Sequence, residues 1–542
     1  MTPSSHDVVV IGGGVTGAGV ARDLARRGAS VLLLEKGDYG AGTSGGSSMM
    51  IHGGPRYLEF DWRTTRLSSE DAGKIVEIAR HMVHRVVFLL PVLPGDRIDI
   101  ERLETAMEVY DRYQPLKHSH RHVRLTRDEA LRLEPGLSGA IVGALTMEEW
   151  GVDPFRLCWL NVLDALEHGA QAHNHAVVTE LVRDGTRVAG VRYRLADGSM
   201  REARARIVVN ATGPWASATA RLAGVNVRLR PAKGVHIVYD RRITNFAISA
   251  EAVDGRGLLV VPHGDFTLVG TTDDDFYGDP DHLEVLTDEV DYILQAVDRV
   301  IPSLRQHRAT RTTAGIRPTL YEWRPNEDDL SRRHELIDHE PRDGVAGFLT
   351  ITGGKLSMYR LMAEATADAV CAKLGIEARC TTGIAPLPGS ESAGESPEVL
   401  GRDCGVPALV AARVKTRHGC RSQSVLGNVK RGTQALICRC QAITEAELAH
   451  AAEHEHVATL GDAFHRVGLA AGPCSGALCL EGGADVLGRS HGWNWRQRRE
   501  AAEDMRRALW KGRTPVLDET GWAQEELVRG AHAHLRPIQP RS

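Results

Sequence analysis

The sequence lacks long hydrophobic runs and has no surplus of charge of either sign. Its most apolar stretch, residues 86–93, contains a proline and is far shorter than the ~20 residues needed to cross a bilayer. Lys and Arg number 66 against 70 for Asp and Glu, a net charge of −4, and the Arg-rich stretches at 496–499 and 506–507 are followed or interrupted by acids. This balance argues against a protein that tracks nucleic-acid phosphates, so we expect no nucleic-acid partner.

A secretion signal is also missing from the N-terminus. No cationic region precedes the first apolar run, and glycines follow it in place of a cleavage site. We therefore predict a cytoplasmic protein with no transmembrane segment of its own. At ~150 residues per domain, the length of 542 residues predicts three or four domains, and the 42% hydrophobic content is enough to form their cores.

A glycine turn near the N-terminus predicts a dinucleotide site. A strand-like run at 7–11 leads into the sequence GGGVTG at 12–17 and then into a helix-compatible segment. Gly12 permits the tight turn, Gly14 lets the backbone approach a pyrophosphate, and Gly17 lets the helix pack closely. The diphosphate would then meet amides at the helix N-terminus.

Three further features favour FAD over a nicotinamide cofactor. A second strand at 31–34 ends in Glu35, which is placed to accept a hydrogen bond from a ribose hydroxyl. Residues 177–210 predict an antiparallel meander that delivers the small residues at 211–213 to the cofactor. The sequence contains no second GxGxxG turn, so one flavin reduced by something other than NAD(P)H fits best.

A later strand at 348–352 enters another glycine turn, which is followed by Lys355. Ser357 is predicted to cap a helix that runs to Leu374 and ends before Gly375. If this helix begins at the flavin, its positive end and the Lys355 ammonium would stabilise the negative charge that builds up there on reduction. The alternative interpretation is an ordinary capped core helix.

The middle of the chain predicts a separate antiparallel sheet. Residues 257–270 have the pattern of a hairpin, and 233–238 add a third strand. Thr287 is predicted to cap a helix that extends to Ile301, is ended by Pro302 and covers this sheet. We therefore expect an α/β fold in which a Rossmann-like flavin domain is interrupted by an antiparallel-sheet substrate domain.

Four cationic side chains lie near the predicted glycine turns and strands: Arg56, Arg317, Arg332 and Lys355. Arginine presents a planar fork that binds phosphate or carboxylate with two hydrogen bonds, so convergence of these groups would suit an anionic substrate. Each of them taken alone is more often a surface ion pair. Composition leaves that choice open.

The nine cysteines divide into two groups. Cys438-x-Cys440 and Cys474-x4-Cys479 form two tight pairs that can supply four thiolate ligands. Structural zinc usually uses pairs with roughly two to four residues between them. The tight first pair, and a flavin core that needs an electron exit, favour a [2Fe–2S] cluster over zinc. The other five are interpreted as ordinary thiols: Cys158, Cys371, Cys380, Cys404 and Cys420.

The cysteine pairs are predicted to lie in a small helical module. Thr444 and Glu447 have the spacing of a capping box that opens a helix after the first pair. Gly472 and Pro473 turn the chain into the second pair. This pattern resembles the bacterioferritin-associated-ferredoxin-like [2Fe–2S] domain.

Several motifs resemble those of the FAD-dependent glycerol-3-phosphate dehydrogenase family. They are the run from Asp7 through Ser44 with Ser47 and Ser48, HGGPRYLE at 52–59, NATGPW at 210–215, GIRP at 315–318 and TGGKLSMYR at 352–360. The cysteine-bearing tail resembles that of the catalytic, A-type subunit of the anaerobic members of the family. The resemblance therefore covers nearly the whole chain and implies a flavin domain of the glutathione-reductase/D-amino-acid-oxidase type.

The resemblance implies oxidation of sn-glycerol 3-phosphate to dihydroxyacetone phosphate, with hydride passing from C2 to N5 of FAD. The proton acceptor stays open between His236, Arg317 and a water, and Lys355 joins His236 and Arg317 as a catalytic residue. The implied substrate-binding residues are Arg56, Tyr57, His236, Arg317, Arg332 and Lys355. The implied FAD contacts are Gly12, Gly14, Thr16, Gly17, Glu35, Lys36, Thr43, Ser44, Ser47, Ser48, His52, Gly53, Val178, Ala211, Thr212, Gly213, Trp215, Gly354, Lys355 and Leu356.

The predicted domain order follows from these motifs. The expected parts are an FAD domain of 1–60, 150–225 and 340–375, a substrate domain of 61–149 and 226–339, a connector of 376–435, a [2Fe–2S] domain of 436–495, and a helical tail of 496–542. The tail is a weak candidate for docking a partner, because the spacing of Met505, Leu509 and Trp510 is more typical of local packing.

The resemblance also implies where electrons go. They would pass from FAD through the cluster to B- and C-type partner subunits and indirectly to membrane quinone, which would hold the protein at the inner face of the cell membrane. Two alternatives stay open. One is a related flavoenzyme that oxidises a 2-hydroxy or amino acid, and the other is a non-catalytic flavin and iron–sulfur electron-transfer protein.

Overall fold

The computed structural model describes residues 4–324, 330–427 and 434–534. The strands are β1 (Ser4–Ile11), β2 (Val31–Leu34), β3 (Met50–Ile51), β4 (Val83–Val92), β5 (Arg124–Thr126), β6 (Gly143–Val152), β7 (Gln171–His173), β8 (Val177–Asp184), β9 (Arg187–Arg194), β10 (Met200–Asn210), β11 (Ala232–Tyr239), β12 (Ala247–Glu251), β13 (Gly257–His263), β14 (Phe266–Gly270), β15 (Asp274–Asp275), β16 (Ala309–Arg317), β17 (His334–Asp338), β18 (Phe348–Gly353), β19 (Leu436–Cys438) and β20 (Ile443–Thr444).

The helices carry the remaining regular structure. They are α1 (Val15–Arg26), α2 (Trp62–Ile78), α3 (Ile100–Tyr110), α4 (Arg127–Leu133), α5 (Pro154–Glu167), α6 (Ala216–Leu222), α7 (Thr287–Asp298), α8 (His339–Asp343), α9 (Tyr359–Leu374), α10 (Pro397–Cys404), α11 (Ala408–His418), α12 (Ser422–Leu426), α13 (Glu445–His454), α14 (Leu460–Val467), α15 (Leu480–His491), α16 (Trp495–Arg513) and α17 (Glu519–His534). Among the described residues, no helix is both long and apolar enough to cross a membrane.

The first sheet has eight strands in the order β17-β18-β10-β1-β2-β7, with β8 and β9 attached beside β10. Strands β7, β2, β1, β10 and β18 are parallel, whereas β8, β9 and β10 form the predicted antiparallel meander. The apolar residues of β1 and β2 are buried from both sides, as expected for parallel strands covered on two faces. On one of those faces, α1 packs between α5 and α9.

The second sheet has ten strands and is mostly antiparallel. The three strands that the sequence predicts near 233–238 and 257–270 are β11, β13 and β14, and β11 lies between β14 and β16. Helix α7 covers the sheet through Val290, Ile293 and Val297. It begins at Thr287, but its N-cap is Leu286 and not Thr287, and it ends at Asp298, three residues short of the predicted end.

Two strands lie in a different sheet from the one that the predicted domain limits imply. Strand β17 falls within the predicted substrate domain, yet it pairs antiparallel with β18 of the first sheet. Strand β3 falls within the predicted flavin domain, yet it pairs with β6 of the second sheet. Both strands follow chain crossings between the sheets, which local sequence patterns do not reveal. The remaining domain limits stay predictions.

The predicted cap at Ser357 is wrong. The chain passes Gly353 and Gly354 with φ values of 80° and 76° and makes a short 3-10 helix, Leu356–Met358, before α9 begins at Tyr359. The Ser357 hydroxyl, which is buried, has no hydrogen-bond partner within the described segments. The C-terminal end is as predicted, because Gly375 closes α9 in the left-handed conformation with φ 74°.

The segment predicted as a connector contains three helices, α10 to α12, with a small apolar core of their own. Ser396 caps α10 by accepting a hydrogen bond from the Val399 amide, and Gly405 ends it. These local signals are present in the sequence, and the Pro- and Ser-rich stretch before them obscured the pattern. Residues 428–433 of the predicted connector lie outside the described residues.

A small module follows, built from the β19–β20 hairpin and helices α13 to α16 around one apolar cluster. Thr444 caps α13 as predicted, but the Glu447 carboxylate pairs with Arg417 and does not complete the capping box. Met505 and Leu509 are buried in this cluster, so the interpretation of their spacing as local packing is confirmed. Residues 1–3 of the predicted flavin domain, 325–329 of the predicted substrate domain and 535–542 of the predicted tail lie outside the described part.

Candidate active site

Most of the predicted cofactor residues collect at one edge of the first sheet. Strands β2, β1, β10 and β18 are parallel neighbours, so their carboxyl ends meet at the same edge. The loops after these strands carry the predicted residues at 12–17, 35–48, 211–215 and 354–356. Val178, on β8, lies two residues after Ala176, whose amide donates a hydrogen bond to the carbonyl of Glu35.

The turn between β1 and α1 leaves no room for side chains at two glycines. Gly12 has a φ of +105°, and a Cβ there would lie 2.6 Å from the Ala211 carbonyl oxygen. A Cβ at Gly17 would lie 1.9 Å from the Gly12 carbonyl oxygen. Gly14 precedes α1 without a side-chain cap of its own, which suits the approach of a phosphate group to the helix N-terminus.

The loop after β2 folds back onto this turn. The Glu35 carboxylate accepts hydrogen bonds from the amides of Gly13 at 2.6 Å and Gly37 at 2.8 Å. Ser44 Oγ accepts a hydrogen bond from the Val15 amide at 3.0 Å, and so joins the loop to the first turn of α1. Both contacts hold polar side chains where a dinucleotide bound to the glycine turn would pass.

Further along, the same loop reaches the second sheet. Thr43 Oγ1 donates a hydrogen bond of 2.5 Å to the Ile316 carbonyl of β16. A Cβ at Gly46 would lie 2.7 Å from the Cα of Gly315. Lys36 stacks 3.9 Å from the centre of the Trp215 ring. The loop that carries predicted cofactor residues therefore packs directly on the strand that ends in Arg317.

The residues at this edge fit a flavin. Three buried polar atoms beside the predicted site have no hydrogen-bond partner among the described residues: Trp215 Nε1, His236 Nδ1 and Ser357 Oγ. Buried polar groups in folded proteins are normally hydrogen bonded, so atoms of this kind point to a missing polar ligand. The glycine turn, the short approach of Ala211 and these donors and acceptors together suit a dinucleotide with a polar ring system.

Arg317 and Arg332, two of the predicted substrate residues, converge on a carboxylate that sequence reasoning missed. Arg317 donates to Asp273 Oδ1 at 2.9 Å, and Arg332 donates to Asp273 Oδ2 at 2.7 Å. Asp273 and Arg332 are buried. Burial alone would raise the pKa of the Asp273 carboxyl, but Arg317 and Arg332 lower it overall. The only signal in the sequence is an acidic run at 273–275, which begins three residues after the end of a predicted strand.

Arg56, Tyr57 and Lys355 complete the cationic cluster. Arg56 Nη2 lies 3.8 Å from Asp273 Oδ2, and its guanidinium lies 5.1 Å from the centre of the Tyr57 ring. Lys355 Nζ lies 4.9 Å from the same ring and donates to the carbonyls of His52 and Gly53. All four predicted cations are therefore gathered around Tyr57 and Asp273.

Burial and neighbouring charges shift the pKa values of two groups in this cluster. Burial lowers the pKa of the Lys355 ammonium to about 8. Burial would raise the pKa of the Tyr57 hydroxyl, but the positive charges of Arg56, Arg332 and Lys355 lower it to about 8. Perturbed groups gathered beside a predicted cofactor edge are typical of an active site.

His236, the predicted base, lies at the junction between the two sheets. Its Nε2 is 2.9 Å from Ser48 Oγ, on the loop with the predicted cofactor residues, and it is buried on β11. Burial, and then the charge of Arg317, lower the pKa of His236 to about 3. The imidazole is therefore neutral at physiological pH, so one of its two ring nitrogens carries no proton.

A buried cluster supports the loop that holds Lys355. Glu149 accepts a hydrogen bond from the Gly53 amide at 3.3 Å and pairs with Lys117 Nζ at 2.5 Å. The Tyr110 hydroxyl also donates to Glu149. All three side chains are almost fully buried, and none was predicted from the sequence. This cluster holds in place the backbone carbonyls of His52 and Gly53, to which the Lys355 ammonium donates hydrogen bonds.

The four predicted metal-ligand cysteines are brought together. Cys440 Sγ lies 3.8 Å from Cys474 Sγ, and hydrogen bonding to the Cys479 thiol lowers the pKa of the Cys438 thiol to about 7. The hydrogen bond from Cys479 lowers the pKa of Cys474 to about 5. None of the nine cysteines forms a disulfide in the described part of the chain. The arrangement can bind a soft metal centre through thiolates.

Backbone conformation around these cysteines is unusual. Backbone amides of Gln441 and Ala470 donate to the sulfur of Cys438. Ala442, Ala470 and Ser475 adopt left-handed conformations with φ of 50°, 68° and 46°. Strained backbone of this kind clusters at functional sites, where it aims amide groups at a ligand.

Buried ion pairs join the cysteine module to the first sheet's domain. Arg466 makes two hydrogen bonds with Asp38, at 2.6 and 3.1 Å, and lies over the Tyr39 ring. Arg156, on α5, donates to Glu455 at 2.7 Å. The partners are up to 428 residues apart in the chain, which is why no sequence motif revealed them.

The parallel sheet with a glycine turn, a polar cofactor edge and an adjoining cationic cluster defines a flavin-dependent oxidoreductase. Residues 7–382 match the sequence pattern of the FAD-dependent oxidoreductase family. The chain belongs to that family and, within it, to the FAD-dependent glycerol-3-phosphate dehydrogenases. The predicted family and α/β fold class are thereby confirmed.

Two curated relatives carry the closer assignment over the full length. The chain is 35% identical over 539 residues to the A-type subunit of the anaerobic glycerol-3-phosphate dehydrogenase of Escherichia coli K12, covering 98% of this chain and 97% of that protein. It is 34% identical to the A1-type subunit of the Haloferax volcanii enzyme, covering 98% and 90%. Both relatives extend through the cysteine module, beyond the region that the family pattern matches.

Solved structures agree with this assignment. The glycerol-3-phosphate dehydrogenase of Bacillus halodurans, solved with FAD, superposes with a TM-score of 0.76 at 26% identity and covers 96% of this chain and 97% of that one. A glycine oxidase from Geobacillus kaustophilus, at 21% identity and a TM-score of 0.53, covers 71% of this chain and shares only the fold.

Proposed function

We propose that this protein oxidises sn-glycerol 3-phosphate to dihydroxyacetone phosphate with FAD and passes the electrons on through a [2Fe–2S] cluster. The observation that carries the proposal is the gathering of Arg56, Arg317, Arg332 and Lys355 around Tyr57 and Asp273, beside the predicted cofactor edge. The relatives named as glycerol-3-phosphate dehydrogenases support the substrate.

Phosphate recognition is assigned to the arginines. Two guanidinium groups that share Asp273 hold their forks in fixed orientations, and each fork can offer two donors to a phosphate. Lys355 adds a positive charge on the other side of Tyr57. Because three arginines surround the single carboxylate of Asp273, a doubly charged phosphate balances the site better than a single carboxylate group does. This favours the phosphate substrate over a 2-hydroxy or amino acid.

Proton removal from the C2 hydroxyl is assigned to His236. Its neutral imidazole has a buried Nδ1 without a partner in the described part of the chain, while Ser48 fixes the other ring nitrogen. Arg317 ends β16, the strand paired with β11, and its guanidinium stabilises the developing alkoxide charge. A base must lie within reach of the proton that it accepts, and an orphaned ring nitrogen at the sheet junction meets that need.

FAD, when bound, accepts the hydride from C2. The residues that would hold it are those of the glycine turn, Glu35, the 43–48 loop and the segment 211–215. Lys355, which directly precedes the short helix Leu356–Met358, would add positive charge beside the position expected for the flavin ring. The non-catalytic alternative does not require such a cationic substrate cluster.

Electron exit is assigned to the cysteine module. Four thiolates from two tight pairs, with amides aimed at the sulfurs, suit a [2Fe–2S] cluster held by Cys438, Cys440, Cys474 and Cys479. Such a cluster supplies one-electron transfer. The buried Asp38–Arg466 pair keeps the module against the loop that follows β2. The relatives are named as A-type subunits, which implies further subunits. We propose that B- and C-type partners receive the electrons and pass them to quinone, at the inner membrane face.

Dye-linked turnover tests the substrate. The purified protein should reduce an artificial acceptor with glycerol 3-phosphate at least a hundredfold faster, per unit of substrate, than with lactate or sarcosine. Equal or higher rates with lactate or sarcosine would transfer the assignment to the carboxylate-substrate alternative. No turnover with any of the three, in protein with a full complement of flavin, would favour the non-catalytic electron-transfer role.

Metal analysis tests the cluster separately. Anaerobically purified protein should hold two iron atoms and two acid-labile sulfides per chain, and dithionite should produce the EPR signal of a reduced [2Fe–2S] cluster. Cys474→Ser should lose both, while Cys404→Ser, on a thiol outside the cluster, should keep them. Zinc with four sulfur ligands in place of iron would reject the cluster and favour a structural zinc site.

A further inference from the structure

A second group of metal-binding side chains lies away from the four cysteines. His418 ends α11, His450 lies on α13, and Glu455 follows α13 directly. One possible ligand atom of each lies within 4.8 Å of the other two. His418 and Glu455 are almost fully buried. The group therefore joins the helical segment predicted as a connector to the cysteine module.

His418 is oriented by a carboxylate on its far side. Its Nε2 lies 3.1 Å from Glu447 Oε1, and Glu447 is itself held by Arg417 through contacts of 2.6 and 2.8 Å. A carboxylate can only accept, so Nε2 carries the hydrogen and the Nδ1 lone pair is directed away from Glu447. A carboxylate that orients the remote nitrogen of a histidine is the usual outer partner of a metal ligand.

Glu455 is held in a matching way. Its Oε2 accepts a hydrogen bond from Arg156 at 2.7 Å, while Oε1 lies 3.5 Å from His418 Nδ1. A charge-assisted hydrogen bond between these groups would be about 2.7–2.9 Å long. Two ligands of a tetrahedral ion bound at about 2.0–2.1 Å are about 3.4 Å apart. The spacing therefore matches two ligands of one ion better than a shared proton.

His450 supplies a third ligand from the same side. Its ring centre lies 5.8 Å from that of His418 and 4.9 Å from that of His454, one helical turn further along α13. Imidazole nitrogen with one carboxylate oxygen is a donor set suited to Zn²⁺.

We propose that His418 Nδ1, His450 and Glu455 bind a divalent zinc-type ion, with water in the fourth position. The ion ties the C-terminal end of α11 to the C-terminal part of α13, and so fixes the cysteine module against the preceding helices. Its ligands are nitrogen and oxygen, whereas the cysteine site offers only sulfur. The inference does not depend on the substrate or on the cluster.

Zinc retention and ligand type test the site. Full-length flavin-loaded protein is equilibrated with Zn²⁺ and desalted, and zinc is counted by mass spectrometry apart from iron. We expect one zinc ion per chain with a nitrogen and oxygen shell at about 2.0–2.1 Å by X-ray absorption, and no sulfur shell at about 2.3 Å. Zinc should raise the melting temperature of the wild type.

The test variant is His450→Gln, which removes a half-buried ligand. The matched control is His282→Gln, which removes an exposed histidine distant in sequence from the site. His450→Gln should lose the retained zinc and its thermal effect, and His282→Gln should keep both. Failure of the wild type to retain zinc, a sulfur shell, or equal retention by His450→Gln would each overturn the proposal. The absorption measurement on the wild type decides the ligands even if the variant folds poorly.

Discussion

Both the active site and the interface between the cysteine module and the flavin domain contain buried arginines. The two regions differ in how these arginines are paired with carboxylates. At the interface, each buried guanidinium has its own carboxylate, Asp38 for Arg466 and Glu455 for Arg156. In the active site, Arg317 and Arg332 share the single carboxylate of Asp273. The Asp38–Arg466 pair is balanced by itself, whereas the arginines of the active site exceed the carboxylate that they share.

This difference distinguishes a structural contact from a ligand site. A buried charge is costly unless it is paired, so a stable interface pairs its charges within the protein. A site with an excess of positive charge relies on an anionic ligand to supply the balancing negative charge. The excess positive charge outweighs burial at Tyr57 and lowers the pKa of its hydroxyl, whereas burial is the main cause of the lowered pKa of Lys355.

The largest expected effect breaks the balanced interface. Arg466→Met should destabilise the protein by about 3–5 kcal/mol, because it leaves the Asp38 carboxylate buried without its main partner. Thermal unfolding of the variant measures the loss. The double variant Asp38→Asn/Arg466→Met should be more stable than Arg466→Met alone. Additive losses from the two changes would contradict pairwise balance at this interface.

Removing a cation from the unbalanced site should mainly affect catalysis. Arg317→Ala should lower kcat/KM for glycerol 3-phosphate roughly 150-fold, since a buried charge contact with the substrate is lost. This factor corresponds to about 3 kcal/mol of activation free energy. The melting temperature should change little. Arg305→Ala, which removes an exposed arginine paired with Asp298, is the matched control and should leave kcat/KM unchanged. A collapse in stability with normal kcat/KM would make Arg317 a structural residue.

Removing the shared carboxylate sharpens the comparison further. Asp273→Asn should lower the free energy of unfolding by about 1–3 kcal/mol in phosphate-free buffer, because Arg317 and Arg332 lose the negative charge between them. Inorganic phosphate should then raise the melting temperature of this variant more than that of the wild type. An equal response to phosphate in both proteins would argue against an anion site among the arginines.

The smallest expected effect is a pH dependence. Lys355 is charged below about pH 8 and neutral above it, and Tyr57 becomes negative in the same range. Both changes weaken phosphate binding, so kcat/KM should fall as pH rises through 8, by at most tenfold per unit for each group. Rate profiles measure this. In Lys355→Arg/Tyr57→Phe the fall should disappear, and its persistence would assign it to another group.

The parts of the molecule that the sequence predicts well are local. The glycine turn at 12–17, the meander after Val177 and the left-handed end of α9 at Gly375 follow from short-range backbone preferences. The wrong cap at Ser357 is also local, but there the glycines at 353–354 override the capping signal. Local rules thus predict which elements form, but they do not predict which of two adjacent local signals determines where a helix begins.

Convergence in space is what the sequence leaves open. The cations were recognisable as a set, but Asp273, which orders them, is 44 residues from Arg317 and 59 from Arg332. Asp38 and Arg466 are 428 residues apart and belong to no motif. Such pairs depend on tertiary packing, so charge balance around a site becomes visible only in the folded structure.

The central claim is that glycerol 3-phosphate delivers electrons to FAD and then to the cysteine-bound cluster. The most direct measurement is anaerobic mixing of the purified protein with glycerol 3-phosphate, followed by flavin absorbance and by EPR of samples frozen over time. The account predicts loss of oxidised-flavin absorbance followed by the reduced-cluster signal. A fully loaded flavin that stays oxidised in excess glycerol 3-phosphate would contradict it.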